Sequence, residues 1–247
     1  MKKLITILLA MMATTGTGLA VAADSCQPGT ADIVIHDDGE AENGYGWNPN
    51  VVTDGRFAEP FEAAAYPATI TSVCYSFMTT SGVTEFDFEI VVWDSDGTGG
   101  SPGTELGRMP ATGHPVTSTT PMTASFETYD ISSLGLEIAG PVYIGLQWDP
   151  SSTGEGVFIA ADESSATPSN NGYLWFTTED DAGSWETIGS LSASAEYRAL
   201  MVRAVMPLSQ PEDGAAVSIP TMQPWGIALF SLLMLALGGL SLRFFRH

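Results

Sequence analysis

Strict alternation in residues 85–93 (EFDFEIVVW) constrains this chain more than any other feature. Phe86, Phe88, Ile90 and Val92 fall on one side; Glu85, Asp87 and Glu89 fall on the other. A period of two sets one face against a core and the other against water, which a helix of 3.6 residues per turn does not do. The same period recurs in residues 141–148 (PVYIGLQW), where Val142, Ile144, Leu146 and Trp148 alternate with Tyr143, Gly145 and Gln147. In residues 69–77, Val73, Tyr75 and Phe77 oppose Ser72, Cys74 and Ser76. Residues 197–205 (YRALMVRAV) read as a closing strand, with 32–36 and 157–161 as shorter candidates. Gly/Pro/Asp/Ser-rich stretches at 95–103, 149–156 and 164–172 separate the runs, and nothing between them has helical periodicity with caps. Many short strands joined by polar turns predict an all-β fold, an antiparallel β-sandwich or jelly-roll-like domain.

Charge narrows the partners. The chain carries 29 Asp+Glu against 8 Lys+Arg. All 29 acids lie in residues 24–213, where the cations are Arg56, Arg108, Arg198 and Arg203 alone. Such a field repels polyanions, so nucleic acid is excluded as a partner, and it favours solubility and cation binding. The 44% hydrophobic content is that of a folded globular chain. Residues 24–207 fit one acidic β-sandwich domain.

Both ends read as targeting segments. Lys2 and Lys3 precede an apolar stretch at 4–12, and Ala20-Val21-Ala22 offers a small-x-small cleavage site, with Val21-Ala22-Ala23 as an alternative. Residues 1–23 are expected to be a signal peptide; the other reading is a retained N-terminal anchor. Residues 225–242 (WGIALFSLLMLALGGLSL) hold no charge. At the helical rise they reach about 27 Å, enough for a single transmembrane helix. The basic tail 243–247, with Arg243 and Arg246, belongs in the cytoplasm and everything before the helix outside. Residues 208–218 (LSQPEDGAAVS) have no periodicity and read as a flexible spacer.

Ahead of the helix stand Ile219, Pro220, Thr221, Met222, Trp225 and Gly226. Residues 219–226 resemble the IPTLxxWG signature of the IPTL-CTERM sorting domain, with Met222 in place of the usual Leu. Motif, apolar helix and basic tail follow in the family's order over residues 219–247, about an eighth of the chain. The resemblance implies a membrane-embedded exosortase-type partner that recognises and cuts this segment. It also implies export through the inner membrane to the cell envelope or surface, with transient or permanent anchoring by one helix. A second resemblance rests on Asp37-Asp38-Gly39 with Glu42-Asn43, and on Val92-Trp93-Asp94 and Asp96-Gly97 running into Ser101-Pro102-Gly103-Thr104. The closing Ala199-Leu200-Met201-Val202-Arg203-Ala204 completes it. Together these are similar to a recurrent module of bacterial exported proteins, which implies a β-sandwich joined to a sorting tail.

The chemistry-bearing residues leave two function classes. Cys26 and Cys74 are the only cysteines. In an oxidising envelope they are expected to form a disulfide, the alternative being two thiols. Asp37, Asp38, Glu42 and Asn43, with Asp94 and Asp96, supply the oxygens that a structural calcium ion needs. Asp94-x-Asp96-Gly97 lacks the later ligands of an EF-hand loop, and a solvated acidic surface with turn-forming Asp residues is the alternative. Trp175, Trp185, Trp47, Tyr45 and Tyr173 lie near loop-like sequence, suited to stacking on sugar rings or to filling a core. His36 and His114 are the only histidines of the exported part, and no H-E-x-x-H or phosphate-loop motif is present. The expectation is a non-enzymatic envelope module that binds carbohydrate or protein. The alternative is a glycoside-type hydrolase working through a carboxylate pair.

Overall fold

A computed structural model describes residues 26–119, 122–153, 156–164, 172–190 and 197–209. The expected signal peptide, residues 210–218 of the expected spacer and the whole of the expected sorting segment lie outside the described residues. Among the described residues no helix is long and apolar enough to cross a membrane.

The described chain is all-β. Its strands form an eight-stranded and a six-stranded sheet, with two short two-stranded pairs beside them. The six-stranded sheet runs Glu186–Thr187, Tyr173–Thr177, Asp54–Phe61, Val142–Trp148, Phe86–Asp94, Glu105–Gly113, all antiparallel. The eight-stranded sheet centres on Ser72–Thr79, flanked by Val202–Val205 on one edge and Phe126–Asp130 on the other. Val157–Asp162 extends it beside residues 77–79. One pairing among the described strands departs from the antiparallel expectation: Val116–Thr117 runs parallel to residues 78–79.

Alternation explains why the two sheets meet as they do. Phe86, Phe88, Ile90 and Val92 join Val73, Tyr75 and Phe77 in one buried core, so the apolar faces legible in the sequence are the inward faces. Removing that apolar surface from water is the main force holding the sheets together. The Tyr75 hydroxyl donates to the Gly145 carbonyl across the core at 2.7 Å, which satisfies a polar tip that burial would otherwise penalise.

Several elements differ from expectation. The closing run breaks at Met201 into Ala199–Leu200 and Val202–Val205. The 32–36 candidate shrinks to Ile33–Val34. The 149–156 turn contains a helical turn, Pro150–Thr153. Asp54–Phe61 (DGRFAEPF), an interior strand of the six-stranded sheet, has no clean apolar alternation because Glu59 shares the inward face with Phe57 and Phe61. Pro60 lies past the last residue paired with Tyr173–Thr177.

Cys26 and Cys74 are joined by a disulfide, with Cα atoms 6.1 Å apart. Cys74 alternates with the core residues Val73 and Tyr75 and so faces outward, where the segment carrying Cys26 lies over the sheet. The described chain ends beside Pro67 and Thr69: Ser209 N–H donates to the Pro67 carbonyl at 3.0 Å and Thr69 N–H to the Pro207 carbonyl at 2.8 Å.

Candidate ligand-binding face

The outward face of the six-stranded sheet carries the polar half of each alternation. Directly across the strands, Trp175, Arg56, Gln147, Glu89 and Pro110 form one row. Arg108, one step along the edge strand, reaches back over it. Its Nη1 donates to the Gln147 Oε1 at 3.0 Å and to the Glu89 carboxylate, and its Nε and Nη2 hold Glu105 at 3.0 and 2.6 Å. The hydrogen bond from Arg108, then its charge, keeps the Glu105 carboxyl below the usual range; the same partner pushes the guanidinium up. Arg56 lies with its guanidinium carbon 3.8 Å from the centroid of the Trp175 ring and bonds Asp54 at 3.1 Å. Cation–π stacking and the ion pair together fix a long side chain that would otherwise roam.

Beside this row the face opens into a cleft of about 660 Å³. Gln147 and Glu89 line it together with Asp54, Asp87, Thr112 and Asp149. Asp87 accepts from the Thr112 hydroxyl at 3.1 Å, and Asp149 from the Ser151 amide and hydroxyl. The cleft lies at the end of the domain where Phe77 packs on Phe86 and Phe86 on Trp148. The described chain leaves from the other end, because Val205 pairs with Ser72, at the far end of the strand that carries Phe77.

The aromatics considered for sugar stacking are packed. Trp185 meets the buried Trp93 edge-on at 5.3 Å, and Tyr173 meets Tyr143 at 5.4 Å. These close the other half of the outer face. Trp175 is held between Arg56 and the backbone at Gly183. Trp47 stacks on the core residue Phe57 at 4.5 Å, and Tyr45 meets Tyr197 edge-on at 5.8 Å. The face that opens to water is polar, and no open aromatic shelf forms among the residues expected to supply one.

The residues considered for calcium fall in two separate places. Both Asp37 oxygens accept from Arg203, at 3.0 and 2.6 Å, in a buried bidentate pair. Asp38 caps its own turn by accepting from Glu40 N–H. Glu42 accepts from the Glu163 amide and the Ser164 hydroxyl, and the Asn43 amide donates to Glu163 at 2.7 Å. On the other sheet, Asp94 accepts from Ser95 N–H. Asp96 clamps Thr104 through its amide and hydroxyl, which keeps the Asp96 carboxyl below its ordinary value. Among the described residues, no group of three or more His, Cys, Asp or Glu is arranged to hold a metal ion. As placed, these oxygens staple loops.

One polar cluster has no sequence signature. Glu59, fully buried between the sheets, accepts from the Tyr197 hydroxyl and from Leu200 N–H at 3.3 Å. Burial, then the adjacent carboxylate, drives the Tyr197 hydroxyl well above its ordinary value, so it stays a proton donor. His36 stands 3.8 Å from Glu59 and stacks on Phe61 at 4.9 Å. His114 is exposed and bonds Glu127 at 2.8 Å. A charged residue at an inward position of a strand is the one hint the sequence offers, and it reads there as a broken strand.

No family model and no curated protein matches the chain. Solved structures do. A clostridial cysteine protease, Cwp84 after propeptide cleavage, is similar at 14% identity and a TM-score of 0.45, over 64% of this chain and 37% of that one. The cysteine protease and lectin-like domains of Cwp84, a surface layer associated protein of Clostridium difficile, are similar at 15% identity and a TM-score of 0.43, over 64% and 33%. The chain spans about a third of the length of these structures.

Proposed function

We propose that this chain is an exported cell-envelope or surface protein whose folded body is a non-enzymatic binding module, delivered by its C-terminal sorting segment. The observation that carries the binding reading is the cleft with its pre-arranged polar side chains. Recognition sites are concave and hold a few polar groups in fixed positions. Here Arg108 fixes Gln147 and Glu89, and Arg56 fixes Asp54, before any ligand arrives. The address rests on the signal-like N-terminus, the 219–226 motif, the 225–242 helix and the basic tail. A disulfide is in keeping with an oxidising compartment.

The hydrolase reading draws on one specific observation: Asp54, Asp87, Glu89 and Asp149 line the same cleft. Glycoside hydrolysis needs one carboxyl kept protonated, usually by apolar surroundings. Glu89 and Asp54 are instead paired with arginines, and Asp87 and Asp149 are exposed. Both cysteines are spent in the disulfide, so the chain has no thiol nucleophile. A binding screen of the purified full chain on glycans and envelope polymers separates the readings. Retention with unchanged polymer length is expected; release of new reducing ends would favour the hydrolase.

A further inference from the structure

We infer that the cleft selects an uncharged glycan presenting adjacent hydroxyls, because Arg108 holds Gln147 and Glu89 as a donor and an acceptor side by side. The inference rests on the binding reading above and adds the ligand class. Gln147 and Glu89 are direct cross-strand partners, so their side chains leave the sheet next to each other. An amide has one acceptor and one donor end, and the hydrogen bond it makes decides which end faces out. Arg108 Nη1 donates to the Gln147 Oε1 at 3.0 Å, so the amide NH₂ is turned away from the arginine, in a residue that lines the cleft. Arg108 also takes Glu89 Oε2, which leaves Oε1 as the remaining acceptor. A donor beside an acceptor matches two neighbouring hydroxyls, one accepting from Gln147 and one donating to Glu89.

Charge sets the other half of the selectivity. Asp54, Asp87 and Asp149 share the cleft with Glu89, whereas Arg108 is directed at Glu105, Glu89 and Gln147. Arg56 is likewise directed at Asp54, so a ligand carboxylate or sulfate would meet the exposed Asp87 and Asp149 with both arginines already engaged, and like charges brought together are strongly disfavoured. Arg108 is a positioning residue here: it contacts the recognition pair and not the ligand.

The test uses the purified full chain and neutral hexasaccharides of glucose, galactose, mannose and xylose, each with its O-methylated form, and a hexauronate. The wild type is expected to hold at least one neutral hexasaccharide and to lose it on O-methylation. Gln147→Glu, which replaces the donor with an acceptor, should weaken that binding about tenfold, the loss of one good hydrogen bond. Arg108→Met should weaken it comparably with little change in melting temperature. Glu89→Gln should admit the hexauronate that the wild type rejects, a gain that a merely structural role would not produce. Unchanged affinity in both Gln147→Glu and Arg108→Met, with the neutral glycan still bound, would overturn the inference and leave the binding reading intact. Capture of a protein ligand on this face with no glycan bound would also overturn it. Binding of nothing on this face would remove both.

Discussion

Arg203 and Cys74 are direct cross-strand partners on the outward face of the eight-stranded sheet, and each takes hold of the same incoming residue. Cys74 binds the Cys26 sulfur, and Arg203 Nη1 donates to the Cys26 carbonyl at 2.6 Å. Arg203 also grips Asp37, and its guanidinium carbon stands 3.6 Å from the centroid of the Phe126 ring. One cation in a very acidic domain thus fastens the N-terminal segment at two points and lies against the edge strand.

From this clasp follow two losses. Breaking the disulfide, with its sequence separation of 48, should cost at most about 4 kcal/mol in the chain-entropy model. Arg203→Ala should cost roughly 3–5 kcal/mol, because it strands the Asp37 carboxylate in a buried site. Asp37→Leu with Arg203→Met should recover most of that second loss. Urea unfolding of the three variants measures these losses; an Arg203→Ala loss under about 1 kcal/mol, the scale of an exposed pair, would contradict the buried reading.

Glu59 and Tyr197 test the polar cluster in the core. Tyr197→Phe leaves Glu59 with the Leu200 amide as its remaining donor of the two, and a loss of about 1–3 kcal/mol is expected. A double-mutant cycle with Glu59→Gln should give a coupling of roughly 0.5–3 kcal/mol. Additive losses would mean that the two groups do not interact in solution.

His36 should make stability depend on pH. Burial pushes its pKa below the ordinary 6.5, against the opposing charge of Asp37. The folded state then binds fewer protons here than the unfolded chain does. The contribution is complete above pH 6.5 and is lost as pH falls through the lowered folded value. His36→Phe keeps a ring against Phe61 and removes the titration. The wild type should lose more urea stability than this variant between pH 7.5 and 5; parallel curves would count against the buried histidine.

Calcium and magnesium at millimolar concentration should raise the melting temperature by the same small amount, through screening of the acidic surface. The loop carboxylates are already stapled to Arg203, Thr104 and neighbouring amides. A calcium-specific rise that Asp38→Ala abolishes would show a cage that these contacts do not form.

Much of the fold was legible because burial and strand period coincide. Residues 85–93 and 141–148 place every apolar side chain of the inward face correctly. Residues 54–61 hide a strand because Glu59 is inward, which local hydropathy cannot separate from a polar turn. Glu105–Gly113 hides another, since an edge strand with two glycines and Pro110 has little apolar alternation to read. The cleft was not legible at all. Gln147, Glu89 and Arg108 are far apart in sequence, and only strand register sets them side by side. Composition alone cannot reveal that a distant arginine bonds Asp37 or that the Glu163 amide bonds Glu42.

The most direct test is the hydrogen-exchange footprint of the full chain with the tightest ligand from the binding screen, taken with the length of the recovered ligand. The account predicts slowed exchange at the cleft ends of three strands, near Asp54, Glu89 and Gln147, with the ligand recovered at its original length. Protection confined to Ser72–Thr79 and Phe126–Asp130, or a ligand recovered in pieces, would contradict it.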